Sequence, residues 1–269
     1  MHARSPLVVP LAGPNGAGKS TSSARVLRGA LAVEEFVNAD VIAQGLSAYR
    51  AEAAAVAAGR VMLERLRFLA RERRDFAFET TLAGRGHAGW ISELRASGYR
   101  ARLVFLSLPS ADLAVARVAE RVRQGGHAVP EDVVRRRFAA GLRNLFGLYR
   151  DAVDAWHVYD NADLAGPRLI ASGATGEPPI LTDPAAWGNL DKQQAEGTTS
   201  MSEAPDSQLT PAERVHDIPR ILRALRLAVR EALQQHKLAG NPVAIWRNGR
   251  VEWVAPEDIP EWTGTEDDL

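Results

Sequence analysis

Through roughly residues 5–165, short apolar runs alternate with longer stretches in which apolar residues recur every three or four positions. Leu7–Leu11, Glu35–Asn38, Phe76–Thr80, Arg102–Leu108 and Trp156–Tyr159 read as strands, too short and too apolar for surface helices. Between them, Ala51–Arg74 sets Val56, Met62, Leu63, Leu66 and Leu69 along one helical face with arginines elsewhere. Ala111–Arg123 and Val133–Leu148 follow the same spacing. Strands that alternate with helices predict an α/β domain over residues 1–170, with a five-stranded parallel sheet flanked by helices. In such sheets ligands bind beyond the carboxyl ends of the strands, so polar residues just after each strand are the first candidates for chemistry.

The pattern changes after residue 170. Residues 171–208 are rich in Gly, Pro, Thr, Ser and acidic or amide residues, with little periodicity, and read as a linker. Residues 209–269 read as a small α+β module. Thr210-Pro211-Ala212-Glu213 has the form of a capping box with Pro at the first helical position. A helix from about Ile218 to Leu238 gathers Ile221, Leu222, Leu225, Val229, Ala232 and Leu233 on one side, and Gly240 stops it. Val243–Arg247 and Arg250–Val254 then flank Asn248-Gly249, a strong hairpin signal. One helix and one hairpin are marginal alone, so the module needs a surface to pack on. Trp246 and Trp253 are its candidate core or its interface anchors.

Composition narrows the function classes. Among 269 residues, 33 Lys and Arg balance 33 Asp and Glu, so no whole-chain field favours nucleic acid or an acidic membrane. Cysteine is absent, which excludes disulfides, thiolate catalysis and sulfur-held zinc. No apolar run approaches the roughly 18 residues of a membrane span, and Met1–Ser5 is too short for a signal peptide before the first strand. A cytoplasmic protein is expected.

The sharpest chemical signal follows the first strand. Gly13, Pro14, Asn15, Gly16, Ala17, Gly18, Lys19 and Ser20 satisfy G-x-x-x-x-G-K-[ST] at every fixed position. In this pattern glycines let successive N–H groups face phosphate oxygens, the lysine neutralises the β and γ groups, and the hydroxyl ligates Mg²⁺. Residues 13–20 with Thr21 are therefore the candidate binding site for ATP or GTP, with Ser20 as the metal ligand. The helix that follows adds its positive dipole end.

Three other strand ends share this rim: Asn38-Ala39-Asp40, Glu79-Thr80-Thr81 and Tyr159-Asp160-Asn161. Asp40 is a candidate proton acceptor for a substrate hydroxyl or, more simply, a helix cap. Glu79 could bind magnesium through water, orient Asp40, hold a substrate hydroxyl, or serve the loop. Arg117 and Arg121 share a helix face, Gln124–Pro130 breaks that helix, and Arg135-Arg136-Arg137 opens the next. This is the layout of a mobile lid that could bring guanidinium groups to a γ-phosphate in transfer, although arginine runs also occur as plain solvated surface. His127 fits a role in shaping the loop.

Together, Gly13–Ser20, Asn38-Ala39-Asp40, Phe78-Glu79-Thr80-Thr81-Leu82, Arg117–Arg137 around Gly125-Gly126-His127, and Val158-Tyr159-Asp160-Asn161 resemble the zeta toxin family of P-loop kinases. The resemblance spans about residues 5–165. It implies a kinase that phosphorylates the 3′-hydroxyl of the aminosugar in UDP-N-acetylglucosamine and is held inactive by an antitoxin. It implies Lys19 and Ser20 as phosphate and magnesium residues, Asp40 as general base, and Glu79 and Thr80 on the substrate side. Arg121 corresponds to one lid arginine and Arg136 or Arg137 to the other. Met201-Ser202-Glu203-Ala204-Pro205 looks like the start of a separate small protein, so residues 209–269 are a candidate antitoxin in cis, although they do not resemble the family's three-helix antitoxin.

Two other readings use the same residues. A metabolic or resistance kinase would differ only in an acceptor pocket around residues 81–100, which carry Arg85, His87, Trp90 and Glu93. A polynucleotide 5′-kinase would use the arginines to track phosphates, against which the neutral net charge counts. No LSGGQ-like signature suggests a transporter ATPase, and no N-K-x-D tetrad suggests a GTPase.

Overall fold

The computed structural model describes residues 4–47, 54–126, 128–195 and 218–261. All five anticipated strands lie in one sheet and run parallel: β1 (Leu7–Ala12), β2 (Glu35–Val37), β3 (Phe76–Thr80), β4 (Arg100–Ser107) and β5 (Ala155–Asp160). Every residue of β1 is buried. Since neighbouring side chains on a strand point to opposite faces, the sheet is covered on both, which is why the run is apolar rather than alternating. Pro10 sits in this central strand without a backbone donor; the ladder to β4 passes from Val8↔Ala101 to Leu11↔Val104 and skips it.

The sheet is larger than the sequence pattern predicts. Its order is β2-β3-β1-β4-β5-β6-β7, with β6 (Arg168–Ala174) and β7 (Ile180–Leu181) added antiparallel at one edge. The expected boundary at residue 170 therefore falls inside a strand, and much of the expected linker is ordered structure. The segment lacks local periodicity because its partners are distant. Gly173 admits the Trp156 ring, which a Cβ there would meet at 2.6 Å. Trp187, on α8 (Pro184–Ala195), stacks on Trp156 with ring centroids 5.5 Å apart.

Helices flank the sheet: α1 (Lys19–Ser23), which continues as a π-helical turn over Ala24–Ala30, α2 (Ala39–Leu46), α3 (Ala55–Arg71), α4 (Gly86–Ala96), α5 (Ala111–Arg123), α6 (Glu131–Asn144) and the short α7 (Arg150–Ala152). On α3 the expected face is only partly right. Met62, Leu66 and Leu69 are buried, whereas Val56 and Leu63 face solvent, because the stripe that meets the sheet is narrower than the apolar content of the segment.

The C-terminal elements form as anticipated: α9 (Ile218–Leu238) and the hairpin β8 (Val243–Arg247) with β9 (Arg250–Val254). Asn248 and Gly249 both have positive φ, 53° and 75°, as a two-residue turn matched to strand twist requires. The capping box at Thr210–Glu213 and the Met201–Pro205 segment lie outside the described residues, as does His127. α9 lies across α1 and the π-helical turn, while the hairpin packs on α5. Ile221, Ala224, Leu225 and Ala244 belong to the same buried cluster as the sheet residues. Burying Ile221 and Leu225 contributes about 1.5–3 kcal/mol each. Among the described residues no helix is long and apolar enough to cross a membrane.

On β5, burial pushes the His157 imidazole down from 6.5 to about 3, with the Arg102 charge acting in the same direction. Between those values the unfolded chain binds a proton at this position that the folded chain does not. This contribution is thus fully favourable above about pH 6.5 and is lost progressively as pH falls below it. Melting temperatures measured from about pH 7 to about pH 5 should drop more steeply for the wild type than for His157→Leu; parallel curves would refute this.

Candidate nucleotide site

The loop between β1 and α1 is held by close backbone approaches that only glycine permits. Gly13 has φ 143°, and a Cβ on it would lie 2.2 Å from the Leu106 carbonyl oxygen. Gly18 has φ 82°, and a Cβ there would meet the Asn161 amide at 2.8 Å. That amide donates to the Ala17 carbonyl at 2.9 Å, so the end of β5 ties down the loop from outside the motif. On the other side the Gly13 N–H donates to the Thr80 carbonyl at 3.2 Å, fixing the loop to the end of β3.

Lys19 is buried and donates to the carbonyls of Gly13 and Pro14, each at 2.8 Å. Burial lowers its pKa, while the nearby charges of Glu79 and Asp40 act to raise it. An ammonium has three donors. Two are spent on the loop itself, and the nearest carboxylate oxygen, on Glu79, is 3.7 Å away, beyond hydrogen-bond reach.

Glu79 is the hub of the polar cluster. One of its oxygens accepts from the Ser20 hydroxyl at 2.7 Å and from the Asn38 side-chain amide at 2.8 Å. Asn38 in turn caps α2, its Oδ1 accepting from the backbone N–H of Asp40 at 2.8 Å and of Val41 at 3.3 Å. The capping role open to Asp40 from spacing is thus filled by Asn38, and the Asp40 side chain, in the first turn of α2, lines a cavity. Asn38 and Asn161 went unassigned in the sequence; the motif tripeptides containing them were the available signal.

The cavity has a volume of about 300 Å³. Asn15, Gly16, Gly18, Lys19, Ser20 and Thr21 form its floor, and Asp40, Glu79 and Arg121 also line it. Gly13, Pro14 and Ala17 shape the loop from behind and are not part of the lining. Thr80 does not reach it; its hydroxyl accepts from the Leu82 N–H at 3.1 Å and turns the chain after β3. The α5–α6 pair stands where the lid was expected, yet of its candidate arginines Arg121 lines the cavity and Arg136 and Arg137 do not. Both are exposed on α6, and Arg136 lies 3.9 Å from Asp132 one turn away.

Arg117, which shares the α5 face of Arg121, also lines the cavity but spends its guanidinium on backbone carbonyls. Its guanidinium is half-buried and donates to the Asn161, Ala162 and Ala244 carbonyls at 2.7, 3.3 and 3.0 Å. Burial pulls its pKa down to about 10, against the opposing charges of Asp160 and Asp163, so it stays charged at neutral pH. The hairpin N–H of Trp246 adds a bond to the Ala162 carbonyl at 3.1 Å. Trp253 is half exposed, with the Arg123 guanidinium 4.9 Å above its ring.

The donor set suits Mg²⁺. The Ser20 hydroxyl and the Glu79 carboxylate are hard oxygen donors 2.7 Å apart on the wall of a cavity large enough for phosphates and water, which complete the shell of this ion in such sites.

The family model described as the AAA domain matches residues 8–148. This chain belongs to the AAA domain family. The matched segment carries the phosphate loop, Asp40, Glu79 and the α5–α6 pair, and ends before Asn161 and the whole C-terminal module. An uncharacterized protein of Haemophilus influenzae is 28% identical over 126 residues, covering 47% of this chain and 88% of that one. Among solved structures, a chain of the AvrRxo1-ORF1:-ORF2 complex crystallised with ATP superposes with a TM-score of 0.56 at 16% identity, covering 84% of this chain and 76% of that one. A share that large extends into residues 218–261. A chain of the PezAT chromosomal toxin-antitoxin system of Streptococcus pneumoniae gives 0.46 at 15% identity, over 60% of this chain and 69% of that one. The mostly parallel sheet with flanking helices is a fold that this chain shares with the AvrRxo1-ORF1:-ORF2 chain.

Replacing Arg117 by Met removes the charge and its hydrogen bonds to the Asn161, Ala162 and Ala244 carbonyls. Urea denaturation should show a loss of about 2–4 kcal/mol. A loss under about 0.5 kcal/mol, typical of a surface change, would contradict the bracing role.

Proposed function

We propose that this AAA domain protein is an ATP- and Mg²⁺-dependent kinase that transfers the γ-phosphoryl group to a hydroxyl of a small molecule. What carries this reading is the convergence of Lys19, Ser20, Asp40, Glu79 and Arg121 on one cavity at the carboxyl ends of β1, β2 and β3. A protein that only bound nucleotide would have no use for an exposed carboxylate opposite its phosphate loop.

Each side chain has a role that follows from its surroundings. The backbone N–H groups of the loop and the start of α1 receive the phosphates, and the third Lys19 donor turns to them. Ser20 and Glu79 would hold Mg²⁺, which when bound supplies charge at the phosphate oxygens. Asp40 accepts the proton of the attacking hydroxyl, and Arg121 offers a guanidinium to the charge that spreads over the phosphoryl oxygens in transfer. The lid arginines Arg136 and Arg137 would act only after α6 closes, since they now stand at the surface.

The zeta toxin resemblance extends the reading to a nucleotide sugar such as UDP-N-acetylglucosamine as acceptor, with Glu79 on the acceptor side; Thr80, which the resemblance also puts there, is turned to the Leu82 N–H. For another small alcohol, residues 81–100 would supply the pocket; there His87 and Trp90 pack on Phe78 with centroids 5.0 and 6.1 Å apart. A toxin role, with residues 209–269 as inhibitor in cis, is the second reading. It is favoured by the position of α9 and the hairpin on the wall of the cavity.

The test is incubation of the full chain with Mg²⁺ and labelled ATP against nucleotide sugars, simple alcohols and a 5′-hydroxyl oligonucleotide. One of the small acceptors should be labelled; labelling of the oligonucleotide alone would replace this reading with a polynucleotide kinase. Lys19→Ala should abolish transfer. Asp40→Asn should retain the ATP dissociation constant while lowering kcat by roughly 10²–10⁴-fold, and near-normal turnover in that variant would remove Asp40 from the base role.

A further inference from the structure

We infer that α9 and the β8–β9 hairpin are the wall of the nucleoside half of the ATP site, so that residues 218–261 select the base rather than shut the enzyme off. The inference rests on the kinase reading, and it identifies the purine nucleoside of ATP as the occupant of one end of the cavity.

The cavity has two chemically distinct ends. Its polar end is the phosphate loop with Asp40, Glu79 and Arg121. Its apolar portion is Leu164, from the stretch after β5, with Val229, Ala232 and Leu233 of α9 and Val243 and Ile245 of β8, while Arg117, Glu120 and Asp163 also line the cavity. A purine presents two apolar faces and a polar edge, and this end offers an apolar wall bordered by Gln124 and His236. Those two also line the cavity, and their side-chain nitrogens lie 3.4 Å apart. Triphosphate and nucleoside are covalently joined, so an apolar recess continuous with a phosphate loop lies where the base must go.

The way the module is attached argues against a removable inhibitor. Leu164 and the module residues Leu233, Val243, Ile245 and Ile259 form a single buried cluster. Arg117 spends donors on both β5-end carbonyls and the hairpin carbonyl of Ala244. α9 is further fixed by an Arg25–Glu231 ion pair and by the Arg220 guanidinium on the Gly29 carbonyl at 2.8 Å. Lifting the module off would break the Arg117–Ala244 and Trp246–Ala162 hydrogen bonds and would expose Ile221, Leu225 and Ile245, each fully buried. Domains that must separate to work carry smaller and more polar interfaces. Despite this tight packing the cavity stays open between module and loop, which is the arrangement of a wall.

Calorimetric titration of the full chain, with Mg²⁺, separates the two halves of the site by comparing ATP with inorganic tripolyphosphate. The wild type should bind ATP more tightly than tripolyphosphate by about tenfold or more. Ala232→Trp fills the apolar end from a partly exposed position on α9 and should bring ATP down to the tripolyphosphate value, with tripolyphosphate affinity unchanged. Val229→Phe, three residues earlier on the same face, should give the same selective loss with a smaller added volume. Unchanged ATP affinity in both variants would overturn the inference, as would a rise in ATP affinity in either, which is the signature of a blocking helix. Failure of the wild type to bind tripolyphosphate while binding ATP would instead strike the phosphate-loop reading itself, and this inference would fall with it.

Discussion

A single half-buried guanidinium joins the parts of this molecule that share no sequence neighbourhood. Arg117 reaches from α5 to the carbonyls at the end of β5 and to the hairpin carbonyl of Ala244, so α5, the sheet rim and the C-terminal module meet at one cation. Removing a charge from water costs several kcal/mol unless its donors are occupied, and here at least three carbonyls take them. Asn161 makes the same junction two-sided: its carbonyl accepts from Arg117 while its amide donates to the phosphate loop at Ala17. The loop that would hold the triphosphate is thus braced by the strand end that Arg117 also grips.

On the opposite side of the loop Glu79 plays the corresponding part with an anion. It gathers Ser20 and Asn38 by hydrogen bonds and lies within the field of Lys19, and Asn38 passes the constraint on to α2 by capping it. The Asp40 carboxylate is positioned by a neighbour that satisfies the helix end on its behalf. A side chain relieved of capping is available for chemistry, which is why the two residues occur together at this strand end.

These two hubs differ in what they allow. The Glu79 side holds small polar groups in reach of water and ligand, a set that can exchange partners when phosphate and metal arrive. The Arg117 side holds its donors on backbone carbonyls, which have no such freedom. At the far end of α5 and on α6, Arg135 pairs with Asp112 and Glu131 at the surface and Arg136 and Arg137 are exposed.

Local pattern carried much of this molecule. Five parallel strands, the loop of residues 13–20, the positions of Asp40, Glu79 and Arg121, α9, and the hairpin about Asn248-Gly249 all follow from periodicity, glycine geometry and turn chemistry acting within a few residues. Other features came from contacts distant in sequence. β6, β7 and α8 form where Gly, Pro and polar residues suggest a linker, because the Trp156 ring needs Gly173 and Trp187 to cover it. Val56 and Leu63 turn outward because the sheet accepts only part of the apolar surface of α3. Arg117 and Arg121 both line the cavity, yet the role of Arg117 as a brace could not be read from two arginines one turn apart. Only the fold decides which carbonyls meet its guanidinium, since partner geometry depends on elements such as Ala244 brought together from more than a hundred residues away.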